Sequence, residues 1–187
     1  MTLPQSLLTL AETPIAAGDL VLEPLRPGHA GLLFDGLADP ALYRFIPQDP
    51  PADAAVLRAR CQRLAARQSP AGDAAWLNWA IRVGEDGPYA GLVEATVQAE
   101  GTADIAYFVF TAHQGRGIAR RAVGAVVAAL AADPAVTAIG ASIDTRNAAS
   151  VALVTALGFK HTARIKDADH FKGAASDEFR YQLPLGG

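Results

Sequence analysis

The sequence predicts one mixed α/β domain of about seven strands and about four helices over residues 19–187, preceded by an irregular lead-in at 1–18. Three observations predict it. The apolar period switches from helical to alternating and back again along the chain. Glycine and proline clusters fall near the switches. The stretch 104–143 reads as strand, glycine loop, helix, strand, so its two strands are expected to run parallel with a right-handed connection. A chain of 187 residues, 51% of them hydrophobic, has enough apolar surface for one full core.

The elements follow in order. Gly18 closes the lead-in, and residues 20–25 form a strand ended by Pro27-Gly28. Leu32, Leu33 and Leu37 sit at helical spacing within 29–37. Asp39-Pro40 and the segment from Pro47 to Pro51 break the chain, because proline pushes the residue before it out of the helical region. A helix at about 52–68 carries Ala54, Val56, Leu57, Cys61, Leu64 and Ala65 on one stripe. Runs at 76–83, 89–98 and 104–110 with short polar separators read as an antiparallel meander. Ile118, Ala122, Val126 and Leu130 share a helix face that Asp133-Pro134 ends. A strand at 137–143 is followed by a helix at 147–157, with Gly158 just past its end. Strands at 159–165 and 177–183, joined by a polar loop, complete the chain.

Composition excludes several classes of function. Charged residues are 19% of a hydrophobic chain, which argues against disorder. A formal net charge of −3 lacks the basic footprint of a nucleic-acid binder, while leaving room for a local basic pocket. No apolar run approaches the ~18 residues of a membrane span. With no basic n-region at the start, the expected location is cytoplasmic and no membrane partner is expected. The lone cysteine, Cys61, lies in an apolar helical run without a polar motif and reads as a core thiol. His29, His113, His161 and His170 are scattered, so no metal is expected.

The chemistry concentrates at Gln114-Gly115-Arg116-Gly117-Ile118-Ala119, which feeds directly into a helix. The first amides of a helix have no internal partner, and the helix dipole adds positive charge there. Glycines let an anion approach the backbone closely. Arg116, and a turn later Arg120 and Arg121, could add charge-assisted contacts. The P-loop pattern fails because no Lys-Ser or Lys-Thr follows. The dinucleotide pattern fails because Arg120 stands where its third glycine belongs. Taken alone, the segment is equally a glycine turn beside surface arginines.

The pattern Gln-x-x-Gly-x-Ala at Gln114 to Ala119 resembles the acyl-CoA-binding motif of the GCN5-related N-acetyltransferases (GNAT). The preceding Ile105-Ala106-Tyr107-Phe108-Val109 is similar to that family's fourth strand, and Leu157-Gly158-Phe159 to its recurrent Leu-Gly-Phe. Leu22-x-Pro24-Leu25-Arg26-Pro27 and Asn147-x-x-Ser150 resemble the ribosomal-protein (RimJ/RimL-like) branch. The resemblance covers about 18–185 and implies a GNAT-like fold with parallel strands splayed apart at 104–110 and 137–143.

It further implies an enzyme that moves an acetyl group from acetyl-CoA to an amine by direct attack, with no metal. The implied cofactor contacts are Phe108, Val109 and Phe110 for the pantetheine, Gln114, Gly115, Arg116, Gly117, Ile118 and Ala119 for the pyrophosphate, and Asn147 and Ser150 beyond. Many members place a tyrosine where Val154 stands, to serve the leaving thiolate; in this branch Ser150 is the candidate instead. Asn147 as N-cap and Ser150 in the first turn also have an ordinary structural reading. The branch's usual glutamate is replaced by Thr162, so the base is open. Glu94 is the candidate, with Asp144, Asp169 and His170 as alternatives. Tyr43 and Phe45-Ile46-Pro47 fall where relatives line the acceptor pocket, and Trp76 or Trp79 could join them. The acceptor is expected to be a protein N-terminus or a small-molecule amine, and a homodimer is compatible with the resemblance. Two alternatives stand beside this reading: a non-catalytic acyl-CoA-binding module, and another nucleotide-binding protein using the glycine loop.

Overall fold

The computed structural model describes residues 3–185. Its frame is an eight-stranded mixed sheet. The strands are β1 (Ile15–Ala17), β2 (Leu20–Pro24), β3 (Ala74–Val83), β4 (Tyr89–Gln98), β5 (Thr102–Val109), β6 (Ala138–Asp144), β7 (Lys160–Phe171) and β8 (Ala174–Leu183). The helices are α1 (Gln5–Ala11), α2 (Ala30–Leu37), α3 (Ala54–Leu64), α4 (Ile118–Ala132) and α5 (Ala148–Ala156). The spatial order is β1-β2-β3-β4-β5-β6-β8-β7.

Strand alternation divides the interior in two. On one face Ala75, Leu77, Trp79 and Ile81 of β3 join Val93, Ala95 and Val97 of β4 against α1 and α4. On the other, Ala80, Leu92, Phe108 and Phe110 meet Leu33 and Leu37 of α2 and Leu57 and Cys61 of α3. Side chains one residue apart on a strand therefore belong to different cores. Trp79 is fully buried, and its Nε1 donates to the carbonyl of Thr13 (3.0 Å).

The parallel pair is the irregular part of the sheet. β5 and β6 pair only at Thr102↔Ala138, Ala103↔Ile139 and Asp104↔Gly140. Beyond Asp104 the two strands diverge, as the resemblance implied, and β5 has no strand on its β6 side.

Two stretches differ from expectation. The lead-in is not irregular: α1 and β1 form within it, giving eight strands and five helices where seven and four were expected. Leu3, Leu7 and Ala11, four residues apart, are all buried and anchor α1 to the sheet. The polar loop expected at 166–176 is mostly strand. β7 and β8 run on to a tight turn at Lys172 (φ 51°) and Gly173 (φ 76°), whose two positive φ values match the twist of a hairpin.

Candidate active site

The glycine loop is built for close approach. Gly117 caps α4 in the left-handed conformation (φ 70°) and makes no side-chain cap bond. Gly115 is also left-handed (φ 74°), and a Cβ there would meet nothing within 4 Å. Gln114 Nε2 donates to the carbonyl of Val109 (2.9 Å), fastening the loop to the end of β5. Among the described residues, the amides of Gly115, Arg116, Gly117, Ile118 and Ala119 donate to no other part of the protein. Five adjacent N–H groups at the positive end of a fifteen-residue helix are left available for an anion. Arg116 is exposed, and its carbonyl accepts from Arg121 Nη1 (3.1 Å).

Phe108, Val109 and Phe110 all bury their side chains. The Phe110 amide donates to the carbonyl of Ala90 (2.8 Å), and alternation turns the backbone of Phe108 toward β4 as well. Of these three, only Val109 turns its backbone toward the gap, as Tyr107 does two residues earlier, while Phe108 is among the residues that line the cavity there. Parity along β5 thus adds Tyr107 to the residues expected along this strand.

A cavity of about 260 Å³ occupies the gap. It reaches both faces of the sheet: Glu94 lines it from the α3 side, and Tyr107 and Ser150 from the α5 side. Phe45, Ile46 and Pro47 line it together with Asp169 and Phe171 of the hairpin. Lys172 Nζ ties the hairpin tip down by donating to the carbonyls of Ile46 (2.9 Å) and Gln48 (3.0 Å). Tyr43 sits deeper, donating to the carbonyl of Leu37 (2.9 Å) and packing on Phe108.

The candidate bases separate on electrostatics. Asp144 accepts from Arg146 Nε (2.9 Å), Arg146 Nη2 (2.6 Å) and Ser176 Oγ (2.6 Å). The Arg146 guanidinium, helped by Ser176, holds its carboxyl at about 2, far too low for a base near neutral pH. Glu94 is the opposite case. Its side chain is 17% exposed, and burial pushes its pKa up against the pull of Arg60, whose Nη2 lies at 2.7 Å. Asp169 accepts from the amide of His170 (2.7 Å), and His170 is exposed on β7 outside the cavity. Thr162 is likewise outside, donating to the carbonyl of Arg180 (3.1 Å).

Asn147 is the N-cap of α5, its Oδ1 accepting from the amide of Ser150 (3.2 Å), and both residues line the cavity. Val154 is fully buried in the core and is not among the residues lining this cavity. The residue that sequence reasoning missed is Tyr107. Its hydroxyl is buried and has no properly aligned hydrogen-bond partner. Burial pushes this phenol up, and the neighbouring Ser150 hydroxyl pulls the other way. Its signal lay in the parity of β5: Tyr107 alternates with Phe108 and so shares the face of Ile105 and Val109. Glu178 also lines the cavity, near Arg180 Nε (2.6 Å). Cys61 is buried in the α2–α3 core, and burial pushes its thiol up. Among the described residues no cluster of metal-ligand type occurs, and no helix is long and apolar enough to cross a membrane.

The comparisons with known proteins bear on this geometry. The model of the acetyltransferase (GNAT) domain matches residues 19–160. A search of curated sequences finds no significant match. Among solved structures, RimL, a ribosomal-protein alpha-N-acetyltransferase in complex with coenzyme A, superposes with a TM-score of 0.82 at 19% identity, covering 92% of this chain and 98% of that one. Mycobacterium smegmatis RimJ with a CoA disulfide gives 0.78 at 23% identity, covering 91% and 85%. The microcin self-immunity acetyltransferase MccE, with acetyl-CoA and AMP, gives 0.81 at 16% identity, covering 94% and 99%. At such identities these likenesses speak to fold alone. The family model spans most of the chain, from β2 to the start of β7 and through the glycine loop, and by that match the chain belongs to the GNAT acetyltransferase family.

Proposed function

We propose that the chain transfers an acetyl group from acetyl-CoA to a primary amine, on a protein N-terminus or a small molecule, by direct attack in a ternary complex. The observation that carries this reading is the row of unpartnered amides from Gly115 to Ala119 beside the open gap between β5 and β6. The pyrophosphate rests on those amides, with Arg116 alongside. The pantetheine arm follows the gap past Val109 and Tyr107, and Asn147 contacts it while capping α5. The thioester then lies where the cavity crosses the sheet, between Glu94 and Ser150.

Chemistry follows from that placement. Glu94 takes a proton from the acceptor ammonium, and the free amine attacks the thioester carbon. The C–S bond breaks as the amide forms. Ser150 donates a hydrogen bond to the leaving thiolate, with the Tyr107 phenol beside it. The proton from the amine ends on sulfur. Holding both substrates in one narrow passage supplies much of the rate.

A thermal-shift comparison tests the reading. Acetyl-CoA at a hundred times its Kd adds about 2.7 kcal/mol of stability by mass action, and ATP at equal concentration adds none. Thiol release with an amine library then demonstrates transfer. Stabilisation by ATP and not by acetyl-CoA would point to a different nucleotide ligand and end this proposal. Stabilisation by acetyl-CoA without transfer to any amine leaves a non-catalytic acyl-CoA-binding module.

A further inference from the structure

A second cavity, of about 650 Å³, opens between α3 and the segment 48–52. Tyr43, Trp76, Pro50 and Pro51 give it apolar walls, and Arg60 and Arg63 give it charge. It adjoins the first cavity at two places. Gln48 lines both. Arg60 lines the second and donates to Glu94, which lines the first (2.7 Å).

The charge here runs against that of the whole protein. The chain carries −3, yet α3 holds Arg58, Arg60 and Arg63 and no acid. Arg60 and Arg63 are three residues apart and so lie on neighbouring positions of one helix face. Arg63 takes part in no ion pair among the described residues. The cavity's one acid, Asp49, has Lys172 Nζ at 3.5 Å. Two guanidinium groups over an apolar floor, one of them unpaired, suit a planar anion.

We propose that this cavity binds a carboxylate of the acceptor, so that the substrate is an amine that also carries a carboxyl group. The inference rests on the acetyl-transfer reading above. Arg63 holds the carboxylate with the free edge of Arg60, and the amine reaches past Gln48 to Glu94. A monoanion fits better than a phosphate dianion. A dianion would draw Arg60 away and leave Glu94 buried, unpaired and facing a double negative charge, whereas a carboxylate can share Arg60 with it. Sharing also loosens the hold of Arg60 on Glu94, so the bound substrate readies its own base.

The test uses acceptors matched except for the carboxylate: phenylalanine against phenylalaninamide, and the amidated peptide Ser-Glu-Glu against Ser-Gln-Gln. The full-length protein should favour the carboxylated member of at least one pair by about tenfold or more in kcat/KM, the factor expected of a charge-assisted contact. The first pair reports an α-carboxylate and the second a side-chain one. In Arg63→Gln, an exposed position whose folding is checked by melting, the preference should fall toward parity, and Arg63→Lys should restore part of it. Parity within both pairs for the unaltered protein overturns the inference, as does a preference that persists undiminished in Arg63→Gln. If no amine is acetylated, the transfer reading fails by itself. The cavity is then judged by calorimetry of the same pairs against the CoA-loaded chain, where equal affinity within each pair overturns it.

Discussion

The two sides of the gap are built in contrasting ways. The cofactor side is local: one loop of six consecutive residues, the helix it opens and the strand it leaves. The acceptor side is assembled from distant pieces: the segment Phe45 to Gln48, Glu94 on β4 and Phe171 on the hairpin. Local sites depend on backbone conformation, which glycine and helix ends dictate. Dispersed sites depend on the register of the whole sheet. The difference teaches where each half is vulnerable, and four changes probe it.

The largest effect is expected at Glu94. Glu94→Gln should lower kcat by about 10²- to 10⁴-fold, the range for a lost general base, and leave the acetyl-CoA thermal shift intact. Because burial raises the pKa of Glu94, the acidic limb of kcat in the unaltered enzyme should lie above the ordinary carboxylate range, with activity lost as pH falls through it. A loss of CoA binding in Glu94→Gln would erase the division between the two sides.

Gly117→Val probes the local side. A β-branched residue at φ 70° is strained, and its Cβ would stand 3.2 Å from Arg121 Nη1. Acetyl-CoA affinity measured by calorimetry should drop by about ten- to a hundredfold, with the local strain of roughly 1–2 kcal/mol appearing as a lower melting temperature. Unchanged affinity would move the pyrophosphate elsewhere.

The third effect concerns the β6–β8 junction beneath the cavity. The folded pKa of Asp144, about 2, lies below its unfolded value of 3.8. Its contribution, roughly 2 kcal/mol, is therefore present above the unfolded value and lost as pH falls from there toward the folded one. Asp144→Asn should flatten that part of the stability–pH curve, measured by urea melts at successive pH values. The smallest effect is expected at Tyr107. Tyr107→Phe should lower kcat by about tenfold or less, the worth of one hydrogen bond, with KM for acetyl-CoA little changed.

The same contrast decides what could be read from the chain. The loop Gln114 to Ala119, the capping role of Asn147 and the core position of Cys61 were legible, because each follows from a few neighbouring residues, whereas the divergence of β5 from β6 was expected only through the family resemblance. The alternation that places Glu94 in the cavity was legible as parity. The same rule applied to β5 would have added Tyr107, which lines the cavity along with Phe108. Helix α1 was missed because seven residues carry little periodic signal, although Leu3, Leu7 and Ala11 spell it. The hairpin was missed because β7 is exposed along most of its length and so lacks the apolar alternation that marks a strand. The Arg60–Glu94 pair spans 34 residues and two elements, and no local pattern announces it.

The shortness of the β5–β6 ladder also bears on how the molecule breathes. Three residue pairs join a meander of five strands to the β6-β8-β7 unit, whose own ladders are longer. Amide hydrogen exchange should divide the sheet along that seam, with the last three strands opening together at a lower free energy than β3 and β4. A molecule spanning the divide would staple the halves, so protection gained on the far strands would register occupancy at a distance from the contacts themselves.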